Sequence, residues 1–239
     1  MSDDIINWYD NPEVQKYLKP QHNPNKKYHN LSIPFMGVIQ GPTGSGKTQL
    51  VLSLIKCFSD KMKNKEKSGT FYSIDYITSN KDEPLLDWLA TKSANIHIYE
   101  DLSELKIDEK DKSKNHLIIF DDMCVKKNQD VIMNAYVRSR KRGCSCLYLT
   151  QDFYRCPPLI RKQSHYIFIL RVNNLHELNF IMRTYCMMLN KEQMQYIYEY
   201  ATSTPYSCLT IDTTTQDIYR KFRKGIIEFI NPDDFICGV

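Results

Sequence analysis

The sequence predicts an α/β fold, a three-layer sandwich in which helices cover both faces of a mainly parallel β-sheet. Two observations lead to this prediction. Short apolar runs alternate along the chain with segments whose apolar residues recur at helical spacing. A glycine-rich loop, Gly41–Thr48, joins the first apolar run to the first helical segment. This is the order of elements in folds that bind phosphate at a strand-to-helix turn.

The glycine-rich loop is the strongest motif in the chain. A predicted strand at 35–39 precedes it and a predicted helix at 50–58 follows it. The glycines allow the backbone to wrap around phosphate oxygens, and the helix points its unpaired N–H groups at the anion. Lys47 would reach the β- and γ-phosphates, and the Thr48 hydroxyl would hold Mg²⁺. The loop fits G-x-x-x-x-G-K-[ST] without a mismatch, with residues Gly41, Pro42, Thr43, Gly44, Ser45, Gly46, Lys47 and Thr48. It predicts a nucleoside triphosphate site, and the alternative is a glycine-rich turn beside an unrelated lysine.

Length and composition limit the class of protein. With 239 residues the chain suits one domain with additions, and its net charge of +4 permits nucleic-acid binding without requiring it. The eight cysteines are scattered without zinc-ligand spacing, and Cys144 and Cys146 would share one strand face. There is no secretory signal pattern, and no apolar run approaches the ~18 residues of a membrane span. We therefore expect a soluble, intracellular protein with reduced cysteines.

The chain divides into an N-terminal arm, residues 1–32, and a main domain, residues 33–239. Prolines and asparagines among charged residues indicate an extended or loosely ordered arm. Its aromatic residues Trp8, Tyr9 and Tyr17 could dock on the core or on a neighbouring subunit.

Periodicity predicts the elements between the motifs and after them. After the first helix we expect a lysine-rich helix end at 61–67, a strand at 70–78, a helix at 82–92, a strand at 96–99 and a charged surface segment at 100–115. Towards the C-terminus we expect a strand at 165–172, helices at 175–189 and 194–201, and late strands or a hairpin within 207–212 and 217–229.

The second motif is a predicted buried strand that ends in two carboxylates. The apolar run 117–120 is followed by Asp121 and Asp122. This form is typical of a Walker B strand, whose carboxyl end meets the nucleotide in a parallel sheet. Asp121 would hold Mg²⁺, directly or through water, and Asp122 lies where a base for the attacking water is needed. An apolar strand ending in Asp is common, and its position after a phosphate loop is what favours its interpretation as a Walker B strand.

The third motif is the strand 145–150, which ends at Gln151. A predicted helix from 131 runs into the basic stretch 138–142, and Gly143 ends it. An amide at the carboxyl end of a strand beside the second motif is placed to sense the γ-phosphate or to orient water. In another context, Gln at this position is an ordinary loop residue.

Together the three motifs resemble the FtsK–HerA superfamily of DNA-pumping ATPases, and within it the poxvirus-type packaging ATPases of large DNA viruses. The likeness covers residues 33–172 and leaves the C-terminal additions, 173–239, less distinctive. In that family an arginine precedes the glycine by a few residues, and Thr-Gln closes the strand. The segments that carry the likeness are Gly41–Thr48, the strand ending Asp121-Asp122, and Arg140–Gln151 with its continuation to Arg161.

The resemblance implies a RecA-like core in which the Gln strand separates the two Walker strands. It further implies a ring of subunits around double-stranded DNA that hydrolyses ATP, with Mg²⁺, to push a viral genome into a preformed capsid. Capsid or virion membrane proteins would be partners, and the location would be the host cytoplasm, the viral factory or the virion. The basic stretches 138–142 and 220–224, both expected to be exposed, would contact DNA phosphates or form solvated helix ends.

Catalysis would use residues from two subunits, as the resemblance implies. Within one subunit the roles fall to Lys47, Asp122 and Gln151. An arginine from the neighbouring subunit would stabilise charge in the transition state. Arg140 and Arg142 are best placed for that role by their position before the Gln strand, and Arg155 and Arg161 are rivals.

The chain departs from the family pattern at the second carboxylate, which is Asp122 where many family members have Glu, a side chain longer by one methylene.

Three alternatives stay open. A cellular or plasmid DNA-transfer ATPase of the same superfamily would share this core. A nucleoside or small-molecule kinase would use the same loop, although it has no need for Asp-Asp with a Gln strand. A non-catalytic assembly protein would use ATP only to keep a ring together.

Overall fold

A computed structural model provides the structure of the protein, and it describes residues 7–17, 23–59, 70–80, 82–123 and 129–235. The lysine-rich segment expected as a solvated helix end lies outside these ranges. No helix within them is both long enough and apolar enough to cross a bilayer.

A single sheet of nine strands runs through the described residues. The first six strands in the chain pair in parallel, and the last three pair antiparallel. This confirms the predicted α/β fold with a mainly parallel sheet. The strands are β1 Met36–Gln40, β2 Ser73–Thr78, β3 Ile96–Tyr99, β4 His116–Asp121, β5 Cys144–Thr150, β6 Tyr166–Ile169, β7 Leu209–Asp212, β8 Phe222–Lys224 and β9 Glu228–Phe229. Across the sheet their order is β3-β2-β4-β5-β1-β6-β7-β8-β9.

Helices cover both faces of the sheet and complete the predicted three layers. They are α1 Pro12–Gln15, α2 Lys26–His29, α3 Lys47–Phe58, α4 Pro84–Ala90, α5 Gln129–Arg140, α6 Pro158–Gln163, α7 Leu175–Tyr185, α8 Lys191–Ala201 and α9 Ile218–Lys221. The apolar sides of α3 and α4 pack into one core cluster, and those of α5 to α8 pack into the other. Cys144 and Cys146 both point into the second cluster, as the period of a strand requires. The charged segment 100–115 contains two 3₁₀ turns.

The position of β5 between β1 and β4 brings the three sequence motifs to one edge of the sheet. In the parallel register Gln40 lies opposite Thr150, and Asp121 lies opposite Leu149. The carboxyl ends of parallel strands meet at the same edge. The phosphate loop, Asp122 and Gln151 therefore follow three adjacent strand ends.

The N-terminal arm is buried at one end and exposed at the other. His29 and Leu31 have no exposed surface, and Leu31 belongs to the core cluster that α3 covers. Trp8, Tyr9 and Tyr17 are exposed, at 65%, 64% and 86%. Docking of these aromatic residues on a neighbouring subunit stays a prediction.

The expectation that Arg223 is exposed is wrong. This residue lies on β8 with only 1% of its surface exposed, because β8 pairs with β7 and the N-terminal arm covers it. Its guanidinium lies 3.1 Å from Asp212 Oδ2 and donates to the carbonyl oxygen of His29 over 2.8 Å. The Phe229 ring lies 4.7 Å away. One buried cation therefore joins the arm, β7 and β9.

His29, whose carbonyl oxygen accepts the hydrogen bond from Arg223, is itself buried. Its Nδ1 accepts a hydrogen bond from the Leu31 N–H over 2.9 Å, which requires an unprotonated nitrogen. Burial, with a contribution from the Arg223 charge, lowers the pKa of His29 to about 4. The imidazole is therefore neutral at physiological pH.

Replacing Arg223 by Met removes one partner of a buried ion pair and leaves the Asp212 carboxylate uncompensated. We expect the free energy of unfolding to fall by about 3–5 kcal/mol, measured by urea denaturation. Arg220→Met is the matched control, because its pair with Asp217 is mostly exposed and should change stability by about 1 kcal/mol or less. Equal effects of the two substitutions would contradict the role assigned to Arg223.

Candidate active site

The phosphate loop folds around its own lysine. Lys47 Nζ donates to the carbonyl oxygens of Gly41 and Pro42, over 3.1 and 3.3 Å, and only 9% of the residue is exposed. Gly44 and Gly46 adopt positive φ angles of 76° and 99°, which glycine reaches without steric cost. The loop thus places one positive charge inside a ring of backbone groups.

Helix α3 begins at Lys47, immediately after the loop, and is twelve residues long. Its N-cap Gly46 has no side chain to bond the first-turn N–H groups. These N–H groups and the positive end of the helix dipole are available to an anion. Together with Lys47 they form the anion-binding part of the site.

Asp121 lies at the end of β4 and is bonded from the neighbouring strand β2. The Tyr76 hydroxyl donates to Asp121 Oδ2 over 2.7 Å, and the Thr48 side chain lies near the same hydroxyl. Burial raises the pKa of Asp121 to about 6. The Tyr76 hydrogen bond and the Lys47 charge oppose this rise, whereas the Asp122 charge adds to it. The negative charge of the ionised Asp121 carboxylate is therefore only partly compensated by nearby positive charge.

These residues fit a magnesium ion. The Thr48 hydroxyl and the Asp121 carboxylate, which both lie near Tyr76, offer the oxygen ligands that Mg²⁺ prefers, and a bound ion would take its remaining ligands from water and phosphate. A bound cation would also favour the ionised form of Asp121, which burial now disfavours.

Gln151 joins the phosphate loop to the second carboxylate. Its Oε1 accepts from the Thr43 hydroxyl over 2.8 Å, and its Nε2 donates to Asp122 Oδ2 over 2.9 Å. Asp122 adopts a left-handed backbone conformation, with φ of 51°. Within the part of the chain that the structure describes, Asp122 Oδ1 has no hydrogen-bond donor. The structure thus brings together the three motifs that the sequence analysis singled out.

A buried glutamate that sequence reasoning missed supports this arrangement. Glu177 Oε1, in the first turn of α7, accepts from Gln40 Nε2 over 2.9 Å and from the Phe153 N–H. Gln40 Nε2 also donates to the Gln151 carbonyl oxygen over 3.1 Å. Burial raises the pKa of Glu177. Because Gln40 directly precedes the phosphate loop, its polar side chain at a buried strand end was the available signal. No signal in the sequence pointed to Tyr76 or Glu177.

The arginines before the Gln strand lie at the opposite edge of the sheet. Arg142 pairs with Asp108 over 2.9 Å, and Arg138 pairs with the same carboxylate. Arg140 is exposed and makes no ion pair within the described residues. Since β5 has seven residues at about 3.3 Å each, about 20 Å separates its two ends. Arg140 and Arg142 therefore do not reach the nucleotide edge of their own subunit.

The two rival arginines are engaged with near neighbours. Arg155 Nε lies 3.3 Å from Asp152 Oδ2, and its side chain is 72% exposed. Arg161 packs over the rings of Phe153 and Phe180, at 5.6 and 5.1 Å. The structure does not bring either one into contact with the phosphate loop.

No protein-family model and no curated protein matches this chain. Among solved structures, it is similar to the genome packaging NTPase B204 from Sulfolobus turreted icosahedral virus 2. Against the AMPPCP complex of B204, the TM-score is 0.56 at 16% identity, over 78% of this chain and 96% of that one. Against the ATP-gammaS complex, the TM-score is 0.55 at 18% identity, over 82% and 100%. Similarity at this level of identity shows a shared fold.

Replacing Tyr76 by Phe removes the hydroxyl that donates to Asp121 and keeps the ring. Because donation to a carboxylate favours its ionised form, we expect the pKa of Asp121 to rise above its value of about 6. Carboxyl ¹³C NMR titration of the metal-free protein measures this pKa. Tyr136→Phe removes a buried hydroxyl that bonds Ser164 elsewhere, so it should leave the titration unchanged. An unchanged or lower pKa in Tyr76→Phe would contradict this reading of the site.

Proposed function

We propose that the protein is an ATP-driven DNA translocase that packages a viral double-stranded DNA genome into a preformed capsid. The observation that supports ATP hydrolysis best is the pair of hydrogen bonds in which Gln151 accepts from Thr43 and donates to Asp122. A strand-end amide that bonds both the phosphate loop and the second carboxylate is suited to respond to a γ-phosphate. A simple nucleotide-binding protein has no need for this connection.

Each residue has a defined chemical task in this proposal. Lys47 and the first N–H groups of α3 bind the β- and γ-phosphates, and Thr48 and Asp121 hold Mg²⁺. The metal ion neutralises charge on the phosphate oxygens when it is bound. Asp122 accepts a proton from the attacking water, and Gln151 senses the γ-phosphate.

The DNA and packaging parts of the proposal have separate support. The chain shares its fold with an NTPase named for genome packaging, and its motifs resemble the poxvirus-type packaging ATPases. Lys141 is an exposed basic residue on the edge opposite the phosphate loop. Such a side chain contacts DNA phosphates without sequence preference. We propose a ring of subunits around double-stranded DNA, with contacts to capsid or virion membrane proteins.

The first test is ATP hydrolysis with and without double-stranded DNA. We expect DNA to stimulate turnover, and we expect Asp122→Asn to lower kcat by about 10²- to 10⁴-fold, the usual contribution of a general base. Asp152→Asn is the control, because Asp152 bonds only its local turn and Arg155 in the described structure.

Two outcomes of the hydrolysis assay would contradict the proposal. DNA-independent turnover, with transfer of phosphate to an added nucleoside, would identify a kinase. Absence of turnover, together with loss of the assembled ring in Lys47→Ala, would identify a protein that uses ATP only for assembly.

The trans arginine is tested by mixing two inactive variants. Arg140→Ala alone should lose about 10³-fold or more in kcat, the contribution of an arginine finger. Lys47→Ala should also be inactive, because it lacks the phosphate-binding lysine. In mixed rings, the Lys47→Ala subunit supplies Arg140 to an intact neighbouring site, so activity should return.

A control variant and a second candidate arginine complete this experiment. Arg138→Ala should retain activity, because Arg138 pairs with Asp108 in its own subunit. The same mixing experiment with Arg142→Ala tests the second candidate. An arginine supplied from this edge of the neighbouring subunit would be contradicted if each variant is active alone or fails to regain activity in its mixture.

A further inference from the structure

An exposed tyrosine from the C-terminal part of the chain lies against the phosphate loop. A Cβ atom placed on Gly46 would lie 2.5 Å from Cδ1 of Tyr206. The Tyr206 ring therefore touches the residue directly before Lys47. The sequence analysis did not single out this tyrosine.

The sheet topology explains how Tyr206 reaches the loop. β7 runs antiparallel to β6, and its first residue, Leu209, lies opposite Ile169 at the carboxyl end of β6. The next residue of that strand end, Leu170, donates its N–H to the Gln40 carbonyl oxygen over 2.9 Å. The turn that precedes β7 therefore lies beside the phosphate loop, and Tyr206 is part of this turn.

Packing does not account for the position of this side chain. Tyr206 is 64% exposed, and its φ of 62° lies in the left-handed region that residues other than glycine rarely adopt. An aromatic residue in a strained turn that gains little burial is a candidate for ligand contact. One side of the ring contacts Gly46, and most of its surface is open to a ligand.

The strand order indicates which part of a nucleotide Tyr206 would meet. Asp121, Asp122 and Gln151 follow β4 and β5, on one side of β1, and β6 and β7 lie on the other side. If the γ-phosphate lies beside the carboxylates, the nucleoside end of an extended triphosphate points towards β6 and β7. Tyr206 is on that side.

We infer that Tyr206 is the platform on which the base of a bound purine nucleoside triphosphate stacks. This inference rests on the proposed nucleotide binding at the phosphate loop, and it adds the residue that recognises the nucleoside part. Stacking on an aromatic ring uses the face of the base and not its edge. Tyr206 therefore increases the binding affinity for ATP and for GTP by a similar factor.

The test compares ATP with inorganic tripolyphosphate, which lacks the nucleoside. Calorimetric binding to the full chain in Mg²⁺ should show that Tyr206→Ala weakens ATP roughly 5- to 100-fold, the usual range for loss of one base-stacking contact. Tripolyphosphate binding should not change. Tyr206→Phe keeps the ring and should bind ATP within about twofold of the original affinity. Tyr219→Ala, which removes a tyrosine of similar exposure that bonds Asp233, is the control and should leave both affinities unchanged.

Other outcomes would overturn the inference. Unchanged ATP affinity in Tyr206→Ala would mean that Tyr206 does not contact the base, and equal changes for ATP and tripolyphosphate would mean that it acts on the loop instead. Lys47→Ala separates this failure from failure of the proposed function, because it should weaken both ligands. If the original chain binds neither ligand, the proposed nucleotide site falls and the inference falls with it.

Discussion

The candidate site depends on the hydrogen bonding of β5 between β1 and β4. Parallel ladders on both sides of β5 bring Gln40, Asp121 and Thr150 to within one residue of the same height in the sheet. The polar residues that follow these strands can then bond one another directly, as Gln151 does with Thr43 and Asp122. If β5 lay elsewhere in the sheet, β1 and β4 would be neighbours and Gln151 would be remote from both.

Arg223 and the carboxylates of the site differ in how their charge is compensated. Arg223 is fully buried and meets a carboxylate, backbone carbonyls and an aromatic ring, so its charge is compensated within the chain. At the site, Asp121 has a raised pKa, and Asp122 combines a strained backbone with an oxygen that has no donor among the described residues. Uncompensated groups of this kind are costly to the fold and are typical of places where a ligand completes the interactions.

The C-terminal additions extend the site as well as the sheet. The α7 helix contributes Glu177, which ties the end of β1 to the segment after β5 through Gln40. The antiparallel β7 brings Tyr206 to the phosphate loop. The same strands bury Arg223 against the N-terminal arm. The less distinctive part of the sequence is therefore connected to the end of β1 and to the arm by polar contacts, and to the phosphate loop by the ring of Tyr206.

By itself the sequence determined the α/β class, the order of the elements and the three motifs, because strand and helix periodicity and the spacing of the phosphate loop are local properties of the chain. Only the tertiary structure decided that Arg223 is buried, that Tyr76 bonds Asp121 and that Tyr206 covers Gly46. It also decided that Arg140 lies at the edge opposite its own phosphate loop. Each of these depends on contacts between segments far apart in the chain, and the local pattern of a tyrosine or an arginine does not reveal its partner.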